Sequence, residues 1–215
     1  MIWEALFLQL GYNATLVTIG AALLGMAAGA TGVFLFLGKR ALVSDAISHA
    51  TLPGVGLAFI VMVALGGDGR ALLGLLLGSA LSAGLGLLCV SWLTRATRLS
   101  EDAAIGAVLS VFFGFGIVLL TVIQSMTAGR QAGLETFLLG STAGMLWDDA
   151  VVIALGGTIV LALVMLLRRP MAAVAFDPEY IAANGGNVRR IELAMMGLAM
   201  AITVVGLKVV GLILI

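Results

Sequence analysis

Six long apolar stretches constrain this chain more than any other feature of its sequence. A helix needs about 20 apolar residues to cross the hydrocarbon core of a bilayer. Charged residues make up only 10% of the chain, whereas a soluble domain carries about 25%. The stretches are continuous rather than alternating, which is typical of helices and not of barrel strands. The sequence therefore predicts an all-α, polytopic transmembrane helical bundle in a lipid bilayer.

The predicted spans together form one transmembrane domain over 1–215, and the last of them runs to the end of the sequence without a polar flank. The segment 136–146 is too short to span and is expected to be re-entrant. Three pairs of glycines, each four residues apart, are expected to pack helices closely. The spans are 14–37, 41–65, 71–93, 103–124, 149–167 and 191–215, and the glycine pairs are Gly25/Gly29, Gly74/Gly78 and Gly140/Gly144.

Basic residues are distributed unequally between the two sides of the membrane if the spans alternate in direction. Cytoplasmic loops of membrane proteins carry an excess of lysine and arginine. The richer side is therefore predicted to be cytoplasmic, and the N-terminus to be outside. That side carries Lys39, Arg40, Arg95, Arg98, Arg168, Arg169, Arg189 and Arg190, against Arg70 and Arg130 on the other.

The second span carries two ionisable side chains, Asp45 and His49, and His49 is the only histidine of the chain. Residues four apart lie on one face of a helix. Ionisable groups within a span are costly and usually mark a pathway or a binding site. Imidazole suits zinc, manganese and iron, and carboxylate suits harder cations such as manganese. Pro53 lacks an N–H, which frees the carbonyl of His49 and kinks the helix.

A purely structural interpretation of these two residues stays open at this point. Asp45 follows Lys39 and Arg40 closely, so it would pair with one of these cations or cap a helix. His49 would then be a hydrogen-bond partner between helices. Two ligands are too few for a closed structural metal site, whereas a transport site should bind its ion weakly so that the ion can leave.

A second motif, FDPEYIAANGGN, lies in a polar stretch before the last span. Asp177 can cap a helix, Pro178 suits the first helical position, and Glu179 complements the helix dipole. Gly185 suits the end of such a helix. A helix this short is marginal alone in water. The motif predicts either a surface connector or a docking element for a cytosolic partner.

Two separated motifs, DAISHATLPGVG from Asp45 and FDPEYIAANGG from Phe176, together resemble the inner-membrane permease family of bacterial ABC importers for zinc, manganese and ferrous iron. GLETFLLGSTAGM, from Gly133, resembles the manganese-type branch of that family. SEDAAIGAVLSVFFGFGIVLL, from Ser100, resembles its central span. The resemblance runs from about Leu35 to Gly211, which is most of the chain.

The resemblance implies a transport subunit with no enzymatic activity and no cofactor, whose substrate is the metal ion. Asp45 and His49 match residues along the family's translocation path. Members normally continue beyond the equivalent of Ile215, so the resemblance implies a C-terminal truncation. The family's coupling helix, which seats on the ATPase, matches 177–186, with Asp177, Pro178, Glu179, Ala182 and Gly185 as its partner-binding residues.

The partners that the resemblance implies are a cytosolic ATP-binding ABC subunit, a second permease chain and an external metal-binding solute-binding protein. The second permease chain is either identical or paralogous. No phosphate-binding Gly-x-x-x-x-Gly-Lys-Ser/Thr loop occurs in the sequence, so ATP hydrolysis is assigned to the separate subunit. The net charge is zero, which implies no nucleic-acid partner. The expected location is the bacterial inner membrane.

Other functions remain compatible with the residues. The nearest is an ABC permease for iron chelates or cobalamin. An ATP-independent cation channel or secondary transporter would need the ion site but no coupling helix. An intramembrane enzyme would use Asp45 and His49 as an acid and base, but one histidine and one carboxylate make a poor metalloprotease set.

Overall fold

A computed structural model describes residues 12–67, 69, 71–126, 140 and 147–214. These residues contain no strand, and six of their helices are long and apolar enough to cross a membrane. The predicted all-α bundle of six spans is confirmed. The expected re-entrant segment lies outside the described residues apart from Gly140. The helices are α1 (Tyr12–Leu37), α2 (Leu42–Ala64), α3 (Leu72–Ala96), α4 (Glu101–Ser125), α5 (Trp147–Phe176), α6 (Pro178–Ala183) and α7 (Val188–Leu214).

The helices group into two compact units. The first, here the metal-motif unit, lies within 39–138 and contains α2, α3 and α4. The second, here the docking-motif unit, lies within 1–38 and 139–215 and contains α1, α5, α6 and α7. The expectation of one transmembrane domain over 1–215 stays a prediction.

In the metal-motif unit, α2 is the enclosed helix and packs against both α3 and α4. In α2, 61% of the membrane-spanning window is buried, against 33% in α3 and 22% in α4. Small residues permit this enclosure. A Cβ added to Gly54 would collide with the carbonyl of Gly78 on α3, and one added to Gly116 of α4 would lie 2.6 Å from the Cβ of Leu52. The backbones of all three helices therefore approach closely.

The glycine pairs differ in what they contact. Gly74 and Gly78 pack against α2, as predicted, because added Cβ atoms would lie 2.5 Å from the Met62 sulfur and 2.5 Å from the Ala58 Cβ. Cβ atoms added to Gly25 and Gly29 of α1 would meet no other part of the described chain within 4 Å. The prediction that this pair packs helices is therefore wrong within those residues. Gly140 and Gly144 are not both described.

The docking-motif unit has its own apolar core between α1, α5 and α7. Its helices meet through aliphatic and methionine side chains, whose burial stabilises the core. They also meet at glycines of α5: a Cβ added to Gly156 would lie 2.8 Å from Val205 Cγ2 on α7, and one added to Gly157 would lie 3.7 Å from the backbone of Leu23 on α1. Its buried members include Leu24, Ala27, Ile153, Val160, Val164, Met171, Leu198 and Ile202.

Helix α5 is longer than the span predicted at 149–167. The helix continues through Pro170 and ends at Phe176. A proline inside a helix costs about 3 kcal/mol. Beyond it, Met171 is 0% exposed and Val174 is 6% exposed, and burial of each such side chain stabilises by about 1.5–3 kcal/mol. The packing of these side chains therefore offsets the energetic cost of Pro170. Helix α5 leads directly into the FDPEYIAANGGN motif, here called the docking motif.

We predict that Gly54→Ala lowers the stability of the protein by about 1–3 kcal/mol, the usual cost of overpacking. The added methyl group would meet the backbone of Gly78, which cannot move unless α3 moves as a whole. Thermal unfolding in detergent, followed by circular dichroism, measures the effect. Gly114→Ala on α4 is the control, because its Cβ would have nothing within 4 Å among the described residues. Equal melting temperatures for the two variants would contradict the close contact.

Candidate functional site

Asp45 and His49 lie at the beginning of α2. Asp45 is in the first turn, where the helix dipole favours a negative charge, and His49 follows one turn later. The Oδ1 atom of Asp45 lies 3.7 Å from Nε2 of His49. The side chain of Asp45 is 61% exposed and that of His49 is 28% exposed. The structure therefore brings the two predicted ligands together, with the carboxylate on the more open side.

The spacing of these two atoms suits a shared cation. Two ligands at about 2.1 Å from one ion lie roughly 3.0–3.6 Å apart when they subtend angles of 90–120°. The observed 3.7 Å between Asp45 Oδ1 and His49 Nε2 is slightly larger. A small side-chain rotation would bring both atoms within bonding distance of one metal ion.

The chain itself offers a small ligand set. Among the described residues, no group of three or more histidine, cysteine, aspartate or glutamate side chains could hold a metal ion. Cys89 is exposed on α3. Pro53 lies inside α2, one turn after His49, and has no N–H to donate to the His49 carbonyl. The site that the described residues of one chain show is therefore the two side chains of Asp45 and His49.

The second nitrogen of His49 has an unusual environment. The Nδ1 atom is buried and has no hydrogen-bond partner within the described ranges. A hydrogen bond from Nδ1 to another helix, as the purely structural interpretation required, is therefore not seen there. The imidazole instead contacts the ring of Phe113 on α4, with ring centroids 5.0 Å apart and planes at 83°. Phe113 was not predicted, since nothing local in the sequence connects it with His49.

An ion pair connects the segment just before α2 with the first residue of α4. Arg40 Nε lies 3.4 Å from Glu101 Oε1, and the side chains are 20% and 36% exposed. A pair this exposed contributes at most about 1 kcal/mol.

Ser100 caps α4, as its hydroxyl accepts a hydrogen bond from the N–H of Ala103 at 3.3 Å. Asp45 lies inside its helix and is not the N-cap residue of α2, which is Ala41.

The docking motif forms the short helix α6. Asp177 Oδ1 accepts a hydrogen bond from the N–H of Tyr180 at 2.9 Å, and Pro178 occupies the first helical position. Gly185 follows the helix with a φ of +78°, a left-handed conformation that glycine adopts without a steric penalty. The predicted beginning and end of this helix are confirmed.

No residue of α6 is buried. Glu179 and Ala182, two of the predicted partner-binding residues, are exposed. Sequence reasoning missed two aromatic side chains, Phe176 at 76% exposure and Tyr180 at 63%. Exposed aromatics are enriched at the centres of protein interfaces. Their position beside a capped helix in a polar stretch was the available signal.

One family of membrane proteins accounts for nearly the whole chain. The profile of the ABC 3 transport family matches residues 12–215. The chain belongs to this family. The family resemblance carried by the two motifs is thereby confirmed.

Two curated relatives are named as metal transport proteins. The manganese transport system membrane protein MntC of Bacillus subtilis (strain 168) is 39% identical over 214 residues, which cover 99% of the chain and 48% of MntC. The zinc transport system membrane protein TroC of Treponema pallidum (strain Nichols) is 36% identical over 203 residues, which cover 94% of the chain and 66% of TroC. The chain thus spans about half to two thirds of the length of these relatives.

A solved member of similar architecture is PsaBC from Streptococcus pneumoniae, determined in complex with a Fab. Its fold agrees with this chain at a TM-score of 0.79 and 29% sequence identity. The match covers 100% of this chain and 72% of the solved chain. The helical fold of this chain therefore agrees with that of the solved PsaBC chain over its whole length.

We predict that Asp177→Ala loosens α6, since loss of a helix cap costs about 1 kcal/mol. Hydrogen–deuterium exchange of a peptide covering 178–184 should become faster by roughly fivefold. Asp177→Asn is the matched variant, because asparagine caps as well as aspartate and should restore slow exchange. Fast exchange in both variants would show that the cap hydrogen bond does not hold the helix.

Proposed function

We propose that this ABC 3 family protein is the membrane-spanning permease subunit of an ATP-driven importer of divalent metal cations, namely manganese, zinc or ferrous iron. The observation that carries the proposal is the approach of Asp45 Oδ1 and His49 Nε2 to 3.7 Å at the start of α2. The names of MntC and TroC support a metal substrate. The resemblance of Gly133–Met145 to the manganese-type branch favours manganese.

The ion would be bound weakly, by a small number of ligands. One chain supplies a carboxylate and an imidazole, and a second permease chain would supply further ligands facing them. Carboxylate and imidazole together suit manganese, zinc and iron. A site that opens between two chains releases its ion when the chains separate, which a transporter needs.

The orientation of α2 in the membrane would determine which of the two ligands an incoming ion meets first. We take the side of Lys39 and Arg40 as cytoplasmic, by the positive-inside rule. Helix α2 then runs outward, and an ion arriving from outside meets His49 before Asp45. His49 is the less exposed of the two, at 28% against 61%. The ion would pass from the enclosed imidazole to the open carboxylate and then into the cytoplasm.

The energy would come from a separate ATP-binding subunit. Phe176 at the end of α5 and Tyr180 on α6 are both exposed, and these side chains would fill a groove of that subunit together with the capped turn at Asp177. An external solute-binding protein would deliver the ion. The permease itself would bind and release the metal without any covalent step.

We predict that His49→Ala and Asp45→Ala each reduce cellular accumulation of the transported metal at least tenfold, because either change leaves one side-chain ligand. Elemental analysis of cells grown with manganese, zinc or ferrous iron measures the effect. Asp102→Asn is the control, since it removes an exposed carboxylate from the first turn of α4 without touching the pair. Unchanged accumulation in both site variants at normal expression would refute the ligand role.

We predict that the double variant Phe176→Ala with Tyr180→Ala weakens capture of the ATP-binding subunit at least tenfold, as is usual for loss of aromatic interface anchors. Copurification from membranes and metal-stimulated ATP hydrolysis are the two measurements. Phe115→Ala serves as control, because Phe115 is 50% exposed on the unrelated helix α4. Metal uptake that persists without any ATPase would instead favour an ATP-independent channel or secondary transporter.

A further inference from the structure

The contact between Phe113 and His49 is geometrically well defined. The ring centroids are 5.0 Å apart and the planes are at 83°, an edge-to-face arrangement that the charge distribution of aromatic rings favours. The backbone below it is fixed as well. Gly116, nearly one turn further along α4, lies so close to α2 that an added Cβ would be 2.6 Å from the Cβ of Leu52. The backbone at Phe113 therefore cannot move away from α2 without separation of the two helices.

His49 has little else to fix its ring rotation. A metal-binding histidine usually donates its second N–H to a carboxylate or carbonyl group, which orients the ring. In the described part of the chain, His49 Nδ1 has no such partner although it is buried. Rotation about the bond that carries an imidazole is intrinsically broad. A contact other than a hydrogen bond must therefore select the orientation that directs Nε2 to Asp45.

We propose that Phe113 is a positioning residue for the metal site and holds the His49 imidazole with Nε2 directed to Asp45 Oδ1. This inference rests on the proposed function. Phe113 has no donor atom and does not bind the metal. It takes the place of the usual polar partner, with one chemical difference. A hydrogen-bonded carboxylate or carbonyl makes a histidine a stronger ligand, whereas a phenyl ring orients the imidazole without that gain. The result is an oriented but weak ligand, which suits release of the ion.

The single histidine makes this inference directly measurable. The protein, labelled with ¹⁵N-histidine and placed in lipid nanodiscs, gives one imidazole signal set, since His49 is the only histidine. Nitrogen shifts report the tautomer, and titration with Zn²⁺ reports the apparent dissociation constant. The variants are Phe113→Leu, which removes the ring, Phe113→Tyr, which keeps it, and Phe115→Leu, which removes an exposed ring of the same helix.

In Phe113→Leu we expect averaging of the two tautomers and a two- to tenfold weaker response to Zn²⁺, whereas Phe113→Tyr and Phe115→Leu behave as wild type. Unchanged elution in size-exclusion chromatography shows that each variant is folded. A wild-type tautomer and Zn²⁺ midpoint in Phe113→Leu would overturn the positioning role and leave the metal site intact. If the His49 signal of the wild-type protein does not change on addition of Zn²⁺, Mn²⁺ or Fe²⁺, the metal site itself is refuted, and this inference with it.

Discussion

The close approach of α2 to its two neighbours is the constraint on which the candidate site depends. In lipid, apolar side chains gain little by leaving their surroundings, so helices associate through contact area and shape. The contact of Gly54 with Gly78 on one side and of Gly116 with Leu52 on the other lets three helix backbones meet. His49 projects from a helix that is held from both sides, so its position is set by backbone contacts rather than by flexible side chains.

This arrangement also explains how the chain tolerates two ionisable groups in an apolar bundle. A charge at the centre of a span is expensive, and the cost falls toward the helix ends. Asp45 lies in the first turn of α2 and its side chain is 61% exposed. His49 lies deeper and is less exposed. The more exposed of the two side chains, Asp45, is thus at the end of the helix, and the less exposed, His49, is one turn further inside it.

Local signals in the sequence predicted much of this architecture. Hydropathy located the six spans, the four-residue spacing placed Asp45 beside His49, and capping residues located α6. These features depend on a helix and its immediate neighbours in sequence. The continuation of α5 through Pro170 was not predicted, because it depends on burial of side chains by other helices. The same reason explains why Phe113 was missed, since it lies 64 positions after His49 in the sequence and only tertiary packing brings them together.

Sequence spacing was least informative for the small residues. Gly74/Gly78 and Gly25/Gly29 have the same spacing, yet only the first pair contacts a neighbouring helix in the described residues. A pair of small residues makes close packing possible but does not select the partner. Gly78 packs because Gly54 and Ala58 offer a matching shallow surface on α2.

The two motifs are stabilised in opposite ways, and this contrast fits the roles proposed for them. Helix α2 is held by tertiary contacts on two sides, whereas α6 has no buried residue and depends on its cap at Asp177. A six-residue helix is too short to be stable by itself. If α6 docks on an ATP-binding subunit, that subunit supplies the packing that the helix lacks. Binding of the partner and ordering of α6 would then be thermodynamically linked, because a partner that binds only the ordered helix also stabilises it.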